Sequence, residues 1–180
     1  MRGIQMTTDS GGPRELDNLD EATRSQTGGL RYASGGELHR DFHASILDGA
    51  NYVRDNYGEG ALREVLFETG TKVYRTMHEK LVAGDKSELL EWWRYYMDRE
   101  GADYSLEETA DGAVLTVRDC PALRHLENRR IGGGKGLCAA TRILNEALCS
   151  GSPYEIVLAE TGGRSCVQTL RLVRVERLKS

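Results

Sequence analysis

Residues 129–142 read RRIGGGKGLCAATR, which places four glycines and Lys135 directly ahead of a helical pattern, with Cys138 in what reads as its first turn. Backbone N–H groups at a helix start are unpaired and point outward, and glycines let a ligand or another chain come close to them. Such a place stabilises negative charge. With Lys135 alongside, the same field would draw the Cys138 thiol toward its thiolate, the nucleophilic form. The chemistry on offer is attack by sulfur on an electrophilic carbon, or activation of a water beside it. The plainer alternative is that Cys138 is a small buried residue and the glycines only make a tight connection.

Two phosphate motifs fail on this stretch. A P-loop needs Ser or Thr after its Gly-Lys pair, and here Gly136 and Leu137 follow Lys135. A dinucleotide fingerprint needs a preceding strand, and ALRHLENRR is helical or coiled. Helical spacing puts Cys138, Arg142, Asn145 and Cys149 on one face and Leu137, Ala140, Leu144 and Leu148 on another. The polar face would line a pocket or meet water. His39 and His43 are four apart, close enough for one metal, but HRDFH lacks the glutamate of a zinc protease, and either histidine suits a general base near neutral pH. Cys120 precedes Pro121 at a strand end, and Glu160 and Cys166 bracket a hairpin turn, so three thiols and one carboxylate can converge from separate elements. Cys138, Glu160 and Cys166 make a chemically reasonable zinc set, although their spacing is irregular. His78 and His125 read as surface residues, and EWWRYYM as core and helix surface.

The elements that must carry these residues follow from periodicity. From Glu37, Leu38, Phe42, Ile46, Ala50, Val53 and Tyr57 mark one buried helical stripe that stops at Gly58. A second helix runs through Leu62, Val65, Leu66, Thr69, Val73, Met77 and Leu81, and Gly70 inside it implies a kink or a close approach. Asp85, with Glu88 three residues on, caps a third helix through Leu89, Leu90, Trp93, Tyr96 and Met97 to Gly101. Residues 103–119 form a hairpin around Ala110-Asp111-Gly112, Pro121 opens a short helix, Leu137–Cys149 is a fourth substantial helix, and a second hairpin turns at Gly162-Gly163. The sum is an α+β fold: an antiparallel sheet of two hairpins with several helices on one face. Residues 1–34 lack apolar periodicity and are expected to be disordered or loosely attached, leaving 35–180 as a single domain.

Net charge limits the partners. At −4 over 180 residues the chain has no general basic field for nucleic acid, and Arg164, Arg171, Arg174, Arg177 and Lys179, opposed by Glu176, read as exposed positions on a last strand and tail. Neither a membrane span nor a signal peptide is visible, so a cytoplasmic site is expected, and four cysteines there are free thiols.

DCPALRHL, then the glycine stretch, then LCAATRILNEAL, then YEIVLAETGGRSCVQTLRL resembles the bacterial L-2-amino-thiazoline-4-carboxylic acid hydrolase family, specifically over residues 119–172 and in overall plan over 37–175. The resemblance implies hydrolysis of a cyclic amidine-like C–N bond to an N-carbamoyl amino acid, and by position Cys120, Cys138 and Cys166 match the family's cysteines. A more distant likeness is to the vinyl-reductase-type small-ligand-binding domain, some members of which bind zinc through cysteines and a glutamate. Cys138, Glu160 and Cys166 match three of those ligands, and Gly163 stands where a cysteine is expected. The expectation is a hydrolase in which Cys138 leads, Cys120 and Cys166 are further catalytic thiols, and His43 before His39 moves the proton. Arg142 holds a substrate carboxylate, with His39, Gly134, Lys135, Asn145 and Glu160 around the substrate. The partner is a small-molecule substrate, with no nucleic acid, membrane, cofactor or metal called for. A homodimer is compatible with the sheet edges and exposed aromatics. The rival expectation is a non-catalytic ligand-binding or sensor module on the same fold.

Overall fold

The computed structural model describes residues 42–173. The expectations for residues 1–34, for Leu38 and His39, and for the charges from Arg174 to Lys179 lie outside the described residues. Helix α1 spans Phe42–Glu68 and is broken at Gly58, whose φ of 88° is open to glycine without strain. The buried side of α1 is not the expected one. Ala44, Leu47 and Leu62 are buried, while Phe42, Ile46 and Tyr57 are exposed, Tyr57 to 67 %. The larger residues made the cleaner period, but the helix docks where its neighbour has room. A Cβ at Gly133 or Gly136 would come within 3.2 or 3.4 Å of the Leu47 methyls, so those glycines form the socket that Leu47 fills.

A π-helical turn at Thr69–Val73 follows, then α2 (Arg75–Val82) and α3 (Ser87–Arg99). The π turn carries Gly70, where a Cβ would lie 2.5 Å from Ala147 Cβ and 3.2 Å from Leu148 N. Both consequences expected of Gly70, irregular helix and close approach, are present at one residue. At the start of α3 the Ser87 amide donates to Asp85 Oδ1 at 2.8 Å, and the buried Glu88 accepts from Lys80 Nζ at 3.3 Å. Trp93 is buried in the core, and Trp92 stacks between Tyr74 and Tyr96.

Strands β1 (Asp103–Thr109) and β2 (Gly112–Asp119) form the first hairpin, α4 (Pro121–Asn128) and α5 (Gly134–Cys149) follow, and β3 (Tyr154–Gly162) and β4 (Ser165–Leu172) form the second. The four strands are antiparallel in the order β1-β2-β4-β3. Alternation sends Leu115, Val117, Ile156, Leu158 and Leu170 to one face, where all but Leu158 join Leu81, Leu89, Leu90, Trp93 and Leu148 in the main core. The fold is therefore α+β, with helices packed on one face of an antiparallel sheet. A smaller cluster of Ala44, Leu47 and Leu126 joins α1, α4 and the glycine stretch. His78 and His125 are half-buried rather than superficial, and His78 Nδ1 lies 3.0 Å from the Leu148 carbonyl oxygen. Among the described residues no helix is long and apolar enough to cross a membrane.

The Gly70 contact sets a test of this packing. Gly70→Ala should destabilise the protein by about 1–3 kcal/mol, because the new methyl meets Ala147 and the α5 backbone. Urea unfolding measures the loss, and adding Ala147→Gly should recover part of it by vacating the nearest atom.

Candidate functional site

The polar face of α5 meets polar partners on the sheet. Pairing of Leu158 with Gln168 and of Glu160 with Cys166 places these four residues on the inner face, beneath the helix. One turn after another, α5 then presents Cys138, Arg142 and Asn145. Asn145 Nδ2 donates to Gln168 Oε1 at 2.9 Å, and both amides are more than nine-tenths buried. Arg142 donates through Nη2 to Glu160 Oε1 and through Nε to the Leu158 carbonyl at 3.4 Å. Cys138 and Cys166 are electrostatic neighbours of each other and of Cys120, which stands at the N-cap of α4. The Cys120 amide donates to the Arg164 carbonyl at 2.9 Å, which ties α4 to the β3–β4 turn. Glu160 and Cys166 are thus register partners, and Cys120 and Cys138 lie within electrostatic range of them.

Their protonation does not follow the expectation. Burial, then Glu160 and Cys120, push the Cys138 thiol up from its ordinary value, and Arg142 only partly opposes them. Burial, with Cys120, Cys138 and Glu160, pushes Cys166 up to about 11. Burial also raises Cys120, against a downward pull from the amides of Leu123 and Ala122, and raises Cys149 to about 11 at the core end of α5. The reason lies in where α5 begins. It starts at Gly134, after Gly133 at φ 95°, three residues earlier than the pattern indicated. Cys138 is its fifth residue, beyond the outward-pointing amides of the first turn. Lys135 is exposed, and a Cβ at Gly134 would lie 2.8 Å from Leu123 Cδ2. The glycines serve packing of α5 on α1 and α4, so the alternative of a tight connection describes them better than a thiolate-making loop.

His43 lies on α1 with Nε2 2.7 Å from Glu100 Oε2, and the two side chains are 17 % and 11 % exposed. Glu100 follows the end of α3 and is an electrostatic neighbour of Cys120. The histidine expected to serve Cys138 is therefore positioned by a carboxylate that acts electrostatically on Cys120. His39 lies outside the described residues. Among the described residues no group of three or more His, Cys, Asp or Glu side chains is arranged to hold a metal ion.

Sequence reasoning missed three residues. Gln168 was visible in principle, as a polar residue at an inward position between Cys166 and Leu170 on β4. Glu100 and Asp119 had no local signal. Asp119 accepts from Arg124 at 2.6 Å and from Arg164 at 2.5 Å, and Arg164 also reaches Glu127 at 2.6 Å. Those hydrogen bonds hold the Asp119 carboxyl below the usual range and fix the backbone on both sides of Cys120.

No protein-family model matches the chain, and no curated protein matches it. Two solved structures do, both of the iron(II) unliganded H-NOX protein of K. algicida. A single-substitution mutant aligns with a TM-score of 0.40 at 15 % identity over 89 % of this chain and 91 % of that one. The other structure aligns with a TM-score of 0.37 at 15 % identity over 81 % and 78 %. Likeness at that level carries no argument about fold or chemistry.

Two pH effects follow. Because Cys149 and Cys166 ionise near 11 when folded against an ordinary 9.0, the stability they contribute is complete below 9.0 and is lost as pH climbs toward 11. Denaturation midpoints should fall over that interval, and iodoacetamide should label Cys120, Cys138, Cys149 and Cys166 slowly at about pH 7. Asp119 works in the opposite direction. Its depressed carboxyl stabilises the fold above the usual carboxylate range and loses that effect as pH falls through its folded pKa. Asp119→Asn should therefore lower the melting temperature at neutral pH and lessen the acid-side decline.

Proposed function

We propose that the protein is a cytoplasmic hydrolase that opens the ring of a small, cyclic, amidine-like carboxylate at its amidine carbon, of the kind named by its resemblance to the L-2-amino-thiazoline-4-carboxylic acid hydrolases. The observation that carries the proposal is the sheltered His43–Glu100 pair, whose carboxylate acts electrostatically on Cys120. With Nε2–H donating to Glu100, the other ring nitrogen, Nδ1, carries the lone pair that takes a proton. Cys120 rather than Cys138 is then the leading thiol, since Glu100 acts electrostatically on it and the α4 amides of Leu123 and Ala122 hydrogen-bond its sulfur. A neutral resting thiol fits a step in which His43 removes the proton as sulfur, or a water beside it, attacks the amidine carbon. The same histidine, once protonated, returns the proton to the departing ring sulfur, because both nitrogens stay on the carbon of an N-carbamoyl product. Where the Cys120 sulfur made the attack, a water then takes its place on that carbon and frees the thiol. Arg142 receives the substrate carboxylate in two-pronged geometry, and Cys138 and Cys166 lie alongside.

One observation favours a second reading, a non-catalytic module that binds a small ligand between α5 and the sheet. Every cysteine of the described residues is pushed up in pKa, so none rests as a thiolate. Turnover decides between the two. The full chain incubated with L-2-amino-thiazoline-4-carboxylate should release the N-carbamoyl amino acid, and His43→Asn and Cys120→Ser should each lower kcat by about 10²- to 10⁴-fold with the fold intact. Release no faster than in buffer would remove the hydrolase. Full activity of Cys120→Ser with loss in Cys138→Ser would return the leading role to Cys138.

A further inference from the structure

Arg142 and Glu160 form an ion pair whose two halves are held very differently. The guanidinium is seated on a helix fixed against the sheet by the buried Asn145–Gln168 hydrogen bond one turn further on, and Arg142 Nε keeps a contact to the Leu158 carbonyl that does not involve Glu160. Glu160 occupies the last regular position of β3. The register shifts between Glu160 and Gly162, and Gly162 and Gly163 follow with φ of 112° and 56°. Both side chains are open to solvent, 41 % for Arg142 and 39 % for Glu160. A carboxylate arriving from outside can therefore reach the guanidinium, and the group that must leave is an exposed side chain beside the register shift of β3.

We propose that Glu160 is a built-in occupant of the carboxylate seat on Arg142, and that a small ring carboxylate binds this protein by displacing it. The inference rests on the reading of Arg142 as the substrate's carboxylate receptor and adds what fills that receptor beforehand. Exchange of one carboxylate for another keeps the guanidinium paired throughout, so binding strands no charge against the half-buried thiols. Glu160, released, swings into water at the strand end. The arrangement selects for carboxylates over neutral ring compounds, because only an anion compensates for the pair that is broken. The ring of such a ligand then rests beside Cys138 and Cys166, both half-buried neighbours of the pair.

Glu146 supplies the control. It lies on α5 four residues after Arg142, is exposed, and pairs with Arg63 at 2.6 Å. Neutralising it changes net charge as Glu160→Gln does but leaves the seat filled. Calorimetry on the full chain with thiazolidine-4-carboxylate, and with its carboxamide, reads the difference. Glu160→Gln should bind the carboxylate about fivefold more tightly than the unaltered protein, Glu146→Gln should bind as the unaltered protein does, and Arg142→Lys should bind more weakly. The carboxamide should respond to none of them. Equal tightening by Glu146→Gln, no tightening by Glu160→Gln, or no binding by either the unaltered protein or Glu160→Gln overturns the inference. Should Arg142→Lys lose its thermal transition, the comparison of the two glutamine variants still decides. Tightening without turnover of the thiazoline sinks the hydrolase alone, and turnover that ignores Glu160 sinks this inference alone.

Discussion

Everything in this fold turns on α5 coming down onto the sheet without leaving a polar group stranded. The helix is apolar on the side that Leu144 and Leu148 share with the main core, and polar where it passes the ends of β3 and β4. A helix of that composition would normally turn its polar side to water. Here Arg142 and Asn145 instead meet Glu160, the Leu158 carbonyl and Gln168, at positions the β3–β4 register fixes. Buried amides without partners would cost on the order of 1–3 kcal/mol each, and paired they specify one seating of the helix. That seating is what brings sulfur atoms from three elements together.

Its electrostatic result is the reverse of an activated cysteine. Three thiols and a carboxylate in one half-dry place repel added negative charge, and burial adds to the effect. Any nucleophilic chemistry must then be run by a base that removes the proton at the moment of attack. Among the described residues His43 is such a base, and a carboxylate on the end of α3 holds it. Asp119 and its two arginines keep the α4 end of this region in place, so Cys120 is positioned from the backbone outward.

The strand pattern, the two hairpins and the helix breaks at Gly58 and Gly101 were legible because each rests on a local signal: alternation, a turn dipeptide, or a glycine at a helix end. The polar face of α5 was legible for the same reason. What was not legible depended on partners far along the chain. The side of α1 that is buried was set by the glycine socket some ninety residues later, and Ala44 and Leu47 carry a weaker periodic signal than Phe42 and Ile46. The start of α5 was misplaced because glycines read as a loop, and from that one turn came the mistaken charge state of Cys138. His43 was a candidate from its type alone, whereas Glu100, which gives it an orientation, becomes visible only once α1 and α3 are folded together.

Both tryptophans of the chain stand side by side on α3, one sealed in the core and one in an aromatic stack with Tyr74 and Tyr96. Tryptophan emission from this protein therefore originates on a single helix, so a change in its colour or intensity reports on how α3 sits against the sheet.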